Sequence, residues 1–159
     1  MKRVVTLFAV LMISTLGLIA QTTYTLGTGT LVNGTSGWPT AYGQYYTGHK
    51  VQYLILASEL SGLGIAPGNM LSLAFDVVTP TPPTASGTAP DGSNLKNFTI
   101  KMGSTTATAI SGFLPVTTTV YTVPQFITTV GWNVHTFTTP FFWDGISNLV
   151  IETCYDNYI

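Results

Sequence analysis

Charge is what this sequence has least of. Asp, Glu, Lys and Arg make up 7% of its 159 residues, and only five of them are basic. An average protein carries roughly a quarter charged residues. Coiled coils and charged disordered tails need many more than this chain has. Affinity for nucleic acid comes largely from Lys and Arg on phosphates, so nucleic acid is not an expected partner. After Arg3 there is no arginine at all, which rules out a bidentate guanidinium clamp on a phosphate or carboxylate. Metal-ligating residues are equally scarce: one cysteine, two histidines (His49 and His135), and neither an H-x-x-H nor a C-x-x-C spacing. A zinc site needs three or four such ligands, so no metal and no cofactor is expected. Nor is there a G-x-S-x-G nucleophile elbow. Gly27 and Gly29 open like a dinucleotide fingerprint, but Val32 stands where the third glycine belongs and no helical pattern follows.

The one long apolar run is N-terminal. Lys2 and Arg3 precede a nearly unbroken apolar stretch from Val4 to Ala20. That order reads as a secretory signal peptide over residues 1–20, cut near Ala20. The alternative is an uncleaved N-terminal anchor. No cysteine follows the run, so a lipoprotein anchor at this site is excluded. From Gln21 onward the only basic side chains are Lys50, Lys96 and Lys101, against six acids. No membrane span is expected in that part.

The rest alternates with a period of two. Leu71, Leu73, Phe75 and Val77 share one face against Ser72, Ala74 and Asp76, and Phe98, Ile100 and Met102 oppose Asn97, Thr99 and Lys101. Successive strand side chains point to opposite faces, so each segment predicts a half-buried strand. Residues 51–56 are apolar on both faces and predict a central strand. Weaker strands are expected over 22–26, 118–123, 132–138 and 148–155. Asn33-Gly34, Pro67-Gly68-Asn69, Asp91-Gly92 and Asp144-Gly145 signal turns, and the proline-rich residues 79–94 a long loop. Residues 58–64 are the one helical candidate, with Ser58 as cap. Many short strands with Gly/Pro turns imply an all-β fold: an antiparallel β-sandwich or jelly roll over residues 21–159, truncated at its C-terminal end.

Candidate chemistry is thin. Asp76 and Glu152 form a conceivable carboxylate pair of the kind glycosidases use, though no spacing singles them out. Asp91-Gly92-Ser93-Asn94 offers oxygens for calcium but reads better as a turn. His135 reads as a strand histidine, satisfied or exposed. Residues 38–46 are richer. Trp38, Tyr42, Tyr45 and Tyr46 crowd a short loop, where flat amphipathic rings suit a sugar or a protein partner. The competing reading folds those rings over one end of the core. Phe141, Phe142 and Trp143 are expected to plug the core. Cys154 is an odd cysteine in an exported chain, which suggests an intermolecular bond, a free thiol or a missing partner. The sequence ends shortly after it, and we expect an N-terminal fragment in which Cys154 pairs with a cysteine beyond residue 159.

Several stretches recur in a known order: Trp38-Pro39-Thr40-Ala41-Tyr42-Gly43, Ala57-Ser58-Glu59-Leu60, Leu71-Ser72-Leu73-Ala74-Phe75-Asp76-Val77 and Asn97-Phe98-Thr99-Ile100-Lys101-Met102-Gly103. Gly131-Trp132-Asn133-Val134-His135-Thr136-Phe137 and the run from Phe142 through Glu152-Thr153-Cys154 come after them. The chain resembles the Thr/Gly-rich β-sandwich domain at the N-terminus of large secreted and surface proteins of Bacteroidetes. The resemblance implies a multidomain parent with fibronectin-like or immunoglobulin-like modules, a sorting domain read by type IX secretion, and a further cysteine after the Glu-Thr-Cys strand. It carries no catalytic motif. The function expected is a non-catalytic extracellular module with an adhesive or structural role at the cell surface, not an enzyme. Its partners would be surface glycans or other surface proteins. The alternatives are a carbohydrate-binding module using the aromatic loop, and an accessory domain of a larger secreted enzyme whose catalytic part lies beyond residue 159.

Overall fold

A computed structural model describes residues 21–29, 40–43, 47–80 and 94–157. The proposed signal peptide, the Asn33-Gly34 and Asp91-Gly92 turns, most of the 79–94 loop, and Trp38, Tyr45 and Tyr46 lie outside them.

The elements run β1 (Gly48–Ile55), α1 (Ala57–Gly62), β2 (Gly68–Val77), β3 (Asn94–Thr105), β4 (Thr118–Ile127), β5 (Gly131–Trp143) and β6 (Asn148–Asp156). Two sheets result, one in the order β1-β6-β3-β4 and one pairing β2 with β5. Every strand pair is antiparallel. The sheets pack face to face over a shared core, which makes the fold an antiparallel β-sandwich.

Alternation places the core as expected. Phe98, Ile100 and Met102 of β3 and Leu149, Ile151 and Tyr155 of β6 are buried in it. Each fully buried large apolar side chain contributes roughly 1.5–3 kcal/mol. Asn97 sits at φ 52 between Leu95 and Phe98, which are both fully buried although three positions apart. Asparagine tolerates that left-handed backbone better than most residues.

Three expectations need correction. Residues 51–56 do not form a central strand: β1 lies at the sheet edge, and the strands flanked on both sides are β6 and β3. Leu149 through Thr153 are all buried; on the outer face residues 106–117 pass over the neighbours of β6, with Pro115 and Val116 against Gly103 and Leu114 against Gln52. The Gln52 side chain holds that crossing segment, donating to Leu114 O at 2.8 Å and accepting from Leu114 N at 2.7 Å. Residues 22–26 form no strand and are exposed. The helix starts one residue earlier than its supposed cap, after Leu56, whose N–H donates to the Glu59 carboxylate at 2.7 Å. It ends where Gly64 N donates to Ser61 O and Ile65 N to Leu60 O, with Gly64 at φ 79. That left-handed stop favours glycine.

Two features of β5 shape the surface of the second sheet. Met70 pairs with Phe141 and Ser72 with Thr136, so only Leu71 stands opposite residues 137–140. β5 bulges there, and Thr138 donates instead to Val120 O of β4 at 3.2 Å. The strand then runs into the Asp144-Gly145 turn. Asp144 accepts from the hydroxyl and amide of Ser147 and the amide of Ile146, which hold its carboxyl down at about 2. Gly145 needs its positive φ, and a Cβ there would stand 2.4 Å from Pro67 Cγ.

Candidate functional site

Tyr42 is the member of the aromatic loop that the structure describes, and it belongs to the core. It is 7% exposed. Its ring packs on Phe75, Phe98 and Phe126, and its hydroxyl lies 2.6 Å from His135 Nε2. Burial raises the phenol's pKa, so it stays neutral. A ring so placed has no face to offer a ligand, and Tyr42 is removed from the binding set. The turn carrying it is tied down from several strands. Thr153 donates to Ala41 O at 3.0 Å, Tyr155 OH donates to Gly43 O, and His49 Nε2 meets Thr40 O at 3.1 Å.

His135 is the polar centre of that core. It is fully buried, ringed by Phe126, Tyr121 and Phe98 at centroid distances of 4.6, 4.7 and 5.2 Å. Nε2 faces Tyr42, while Nδ1 has no hydrogen-bond partner among the described residues. The sequence reading of a satisfied or exposed histidine is therefore half right: one nitrogen is paired and the ring is sealed. Burial depresses its pKa to about 4, because taking the ring out of solvent penalises the charged imidazole. The pair ties the 40–43 turn to β5.

The two acids singled out by the sequence are separated. Asp76 is exposed on the outer face of β2, in register with Trp132. Glu152 lies on the outer face of β6, under the crossing segment, accepting from Gln52 Nε2 at 2.9 Å with Lys50 Nζ at 3.8 Å. The whole core stands between them, so they cannot act on one bond. Cys154 is half-buried on that same outer face, in register with Lys50 and Thr99. Burial raises its thiol pKa, which makes it a weak nucleophile at neutral pH. Among the described residues no His, Cys, Asp or Glu cluster could hold a metal ion. No helix there is long and apolar enough to cross a membrane.

What does face solvent is the other side of β5. Trp132, Val134 and Phe142 are 57%, 59% and 62% exposed, whereas Asn133, His135 and Phe137 are buried between them. Phe142 thus departs from the core-plug expectation that Phe141 and Trp143 fulfil: alternation turns the middle ring outward. Trp143 donates its indole N–H to Ser147 O at 2.8 Å, so its burial leaves no polar group unpaired. Beside Phe142, at the bulge, lies an open groove of about 480 Å³. Ser104, Thr117 and Thr118 form one wall, and Pro140, Phe141 and Phe142 the other. Sequence reasoning missed this site, because a bulge depends on which strand lies opposite. Pro140 within a strand pattern was the available signal.

The chain matches no family model, no curated protein and no solved structure.

Proposed function

We propose that this chain is a non-catalytic β-sandwich module of an exported bacterial surface protein, and that it works by contact, in adhesion or as a structural part. The observation that supports it is the inverted face of β5. Two polar residues, Asn133 and His135, point inward, and two large apolar residues, Trp132 and Val134, point into solvent. Shifting the strand by one residue would bury the apolar pair, which folding alone favours. Large apolar side chains held together in solvent mark interaction surfaces. The groups that resemble chemistry are meanwhile occupied with structure: His135 with Tyr42, Glu152 with Gln52, Asp144 with its own turn. Export rests on the N-terminal sequence pattern, and the surface setting on the family resemblance.

Beads coated with the purified chain, retained on immobilised envelope glycans and surface proteins, test this reading. Retention should change little between low and high salt, because so few charges are present. Replacing Trp132 by Ser together with Val134 by Thr should reduce it several-fold. Affinity that falls steeply with salt would overturn the reading. So would a hydrolytic turnover abolished by Asp76→Asn or Glu152→Gln.

A further inference from the structure

We propose that the groove at the β5 bulge is a binding site for an uncharged sugar ring. The inference rests on the contact reading for its setting, and on the groove's own chemistry for its ligand. The groove exists because β5 leaves its partner: residues 137–140 have only Leu71 opposite them, and Pro140 has no N–H to give a ladder. Bulges re-aim side chains at strand edges and beside binding sites. Here the bulge brings Pro140 and Phe142 to face the junction of β3 with the start of β4.

The two walls are chemically different. Ser104, Thr117 and Thr118 supply hydroxyls, each able to donate once and accept twice. Pro140 and Phe142 supply apolar surface, with Phe142 62% exposed, while the Phe141 ring is turned into the core and lines the groove only from beneath. No lining residue is charged. A phosphate, sulfate or carboxylate ligand would enter without a cation to receive it. A purely apolar ligand would strip water from three hydroxyls and return nothing. A pyranose has what both walls need: a ring of C–H groups for the aromatic face and a rim of hydroxyls for the opposite wall. A groove of about 480 Å³ falls within the roughly 300–1,000 Å³ span of small-molecule sites. Being open, it suits one unit of a longer glycan.

The test is an amide-resolved NMR titration of the purified chain with methyl glucoside, methyl galactoside, methyl mannoside and cellohexaose, with methyl glucuronide as the charged counterpart. At least one neutral probe should give saturable shifts at Ser104, Thr118 and Phe142, independent of salt. Phe142→Ala should weaken that binding about tenfold or more. Thr118→Val, nearly the same shape without the hydroxyl, should weaken it several-fold, with amides elsewhere unmoved in both variants. Val78→Thr, at an exposed position past the far end of β2, should leave it unchanged. The proposal is overturned by no saturable shift at the groove with any neutral probe, by tighter binding of the glucuronide, or by wild-type affinity in Phe142→Ala. Bead retention that persists while the groove stays silent sinks the sugar site and spares the contact reading. Loss of both sinks both.

Discussion

The two faces of β5 are built from neighbouring residues and meet opposite fates. Inward, Asn133 and His135 are polar and sealed. Asn133 donates from Nδ2 to Thr129 O and Gly131 O, both at 2.8 Å, and accepts from Thr129 N at 2.9 Å. Outward, Trp132 and Val134 are apolar and wet. The contrast teaches that polarity does not by itself assign a face. A buried polar residue is tolerated where hydrogen bonds or aromatic faces receive it. An exposed apolar pair gains little from folding.

The comparison breaks most severely at His135. His135→Ala should destabilise the fold by about 3–5 kcal/mol in urea unfolding, since it opens a cavity and orphans the buried Tyr42 hydroxyl. Acid should act on the same residue. Its folded pKa of about 4 lies below the ordinary 6.5, so the unfolded chain takes up the proton first as pH falls. Stability fully present above about pH 6.5 should decline by up to about 3 kcal/mol by pH 4, with no further loss from this group below that. The difference between wild type and a His135→Phe, Tyr42→Phe double variant isolates the contribution. A wild-type profile parallel to the double variant's would refute it.

Asn133→Ala should cost less, about 1–3 kcal/mol, because the freed backbone groups at the β4–β5 turn lie near solvent. Melting curves that show no loss would mean that the turn holds without its side chain. The outer face should matter least to folding. Trp132→Ser and Val134→Thr are each expected to change stability by no more than about 0.5 kcal/mol. Acrylamide should quench Trp132 readily and Trp143 hardly at all, since they are 57% and 1% exposed. Should the outer substitutions destabilise as much as Asn133→Ala, the two faces would not differ in their part in folding.

Much of the sandwich was legible one strand at a time. Alternation located the inward side of β3 and of β2 from Leu73 to Val77, whereas Leu71, at the irregularity between Met70 and Ser72, is exposed and Met70 packs on the core instead; the Asp144-Gly145 signal lies where β5 ends. The failures share a cause. Residues 51–56 read as central because both faces are apolar, yet β1 pairs only with β6, at the sheet edge, and that depends on pairing across about a hundred residues. The pattern at 22–26 had no partner strand to make it one. Tyr42 looked like a loop ring until His135, 93 positions away, proved to hold its hydroxyl. Asp76 and Glu152 looked alike as mid-strand acids until the sheets placed them on opposite outsides of the molecule.

From the sequence alone came the period of two, the turns, and a composition too poor in charge and metal ligands for most chemistries. These are local properties, set by alternating side chains, by glycine and proline backbone limits and by simple counts. Only the tertiary structure decided which side of an alternating strand is covered, where β5 must bulge, and which aromatic rings remain in water. Those outcomes depend on long-range pairing and on the second sheet, and two faces of one strand become inequivalent only when a layer is laid against one of them.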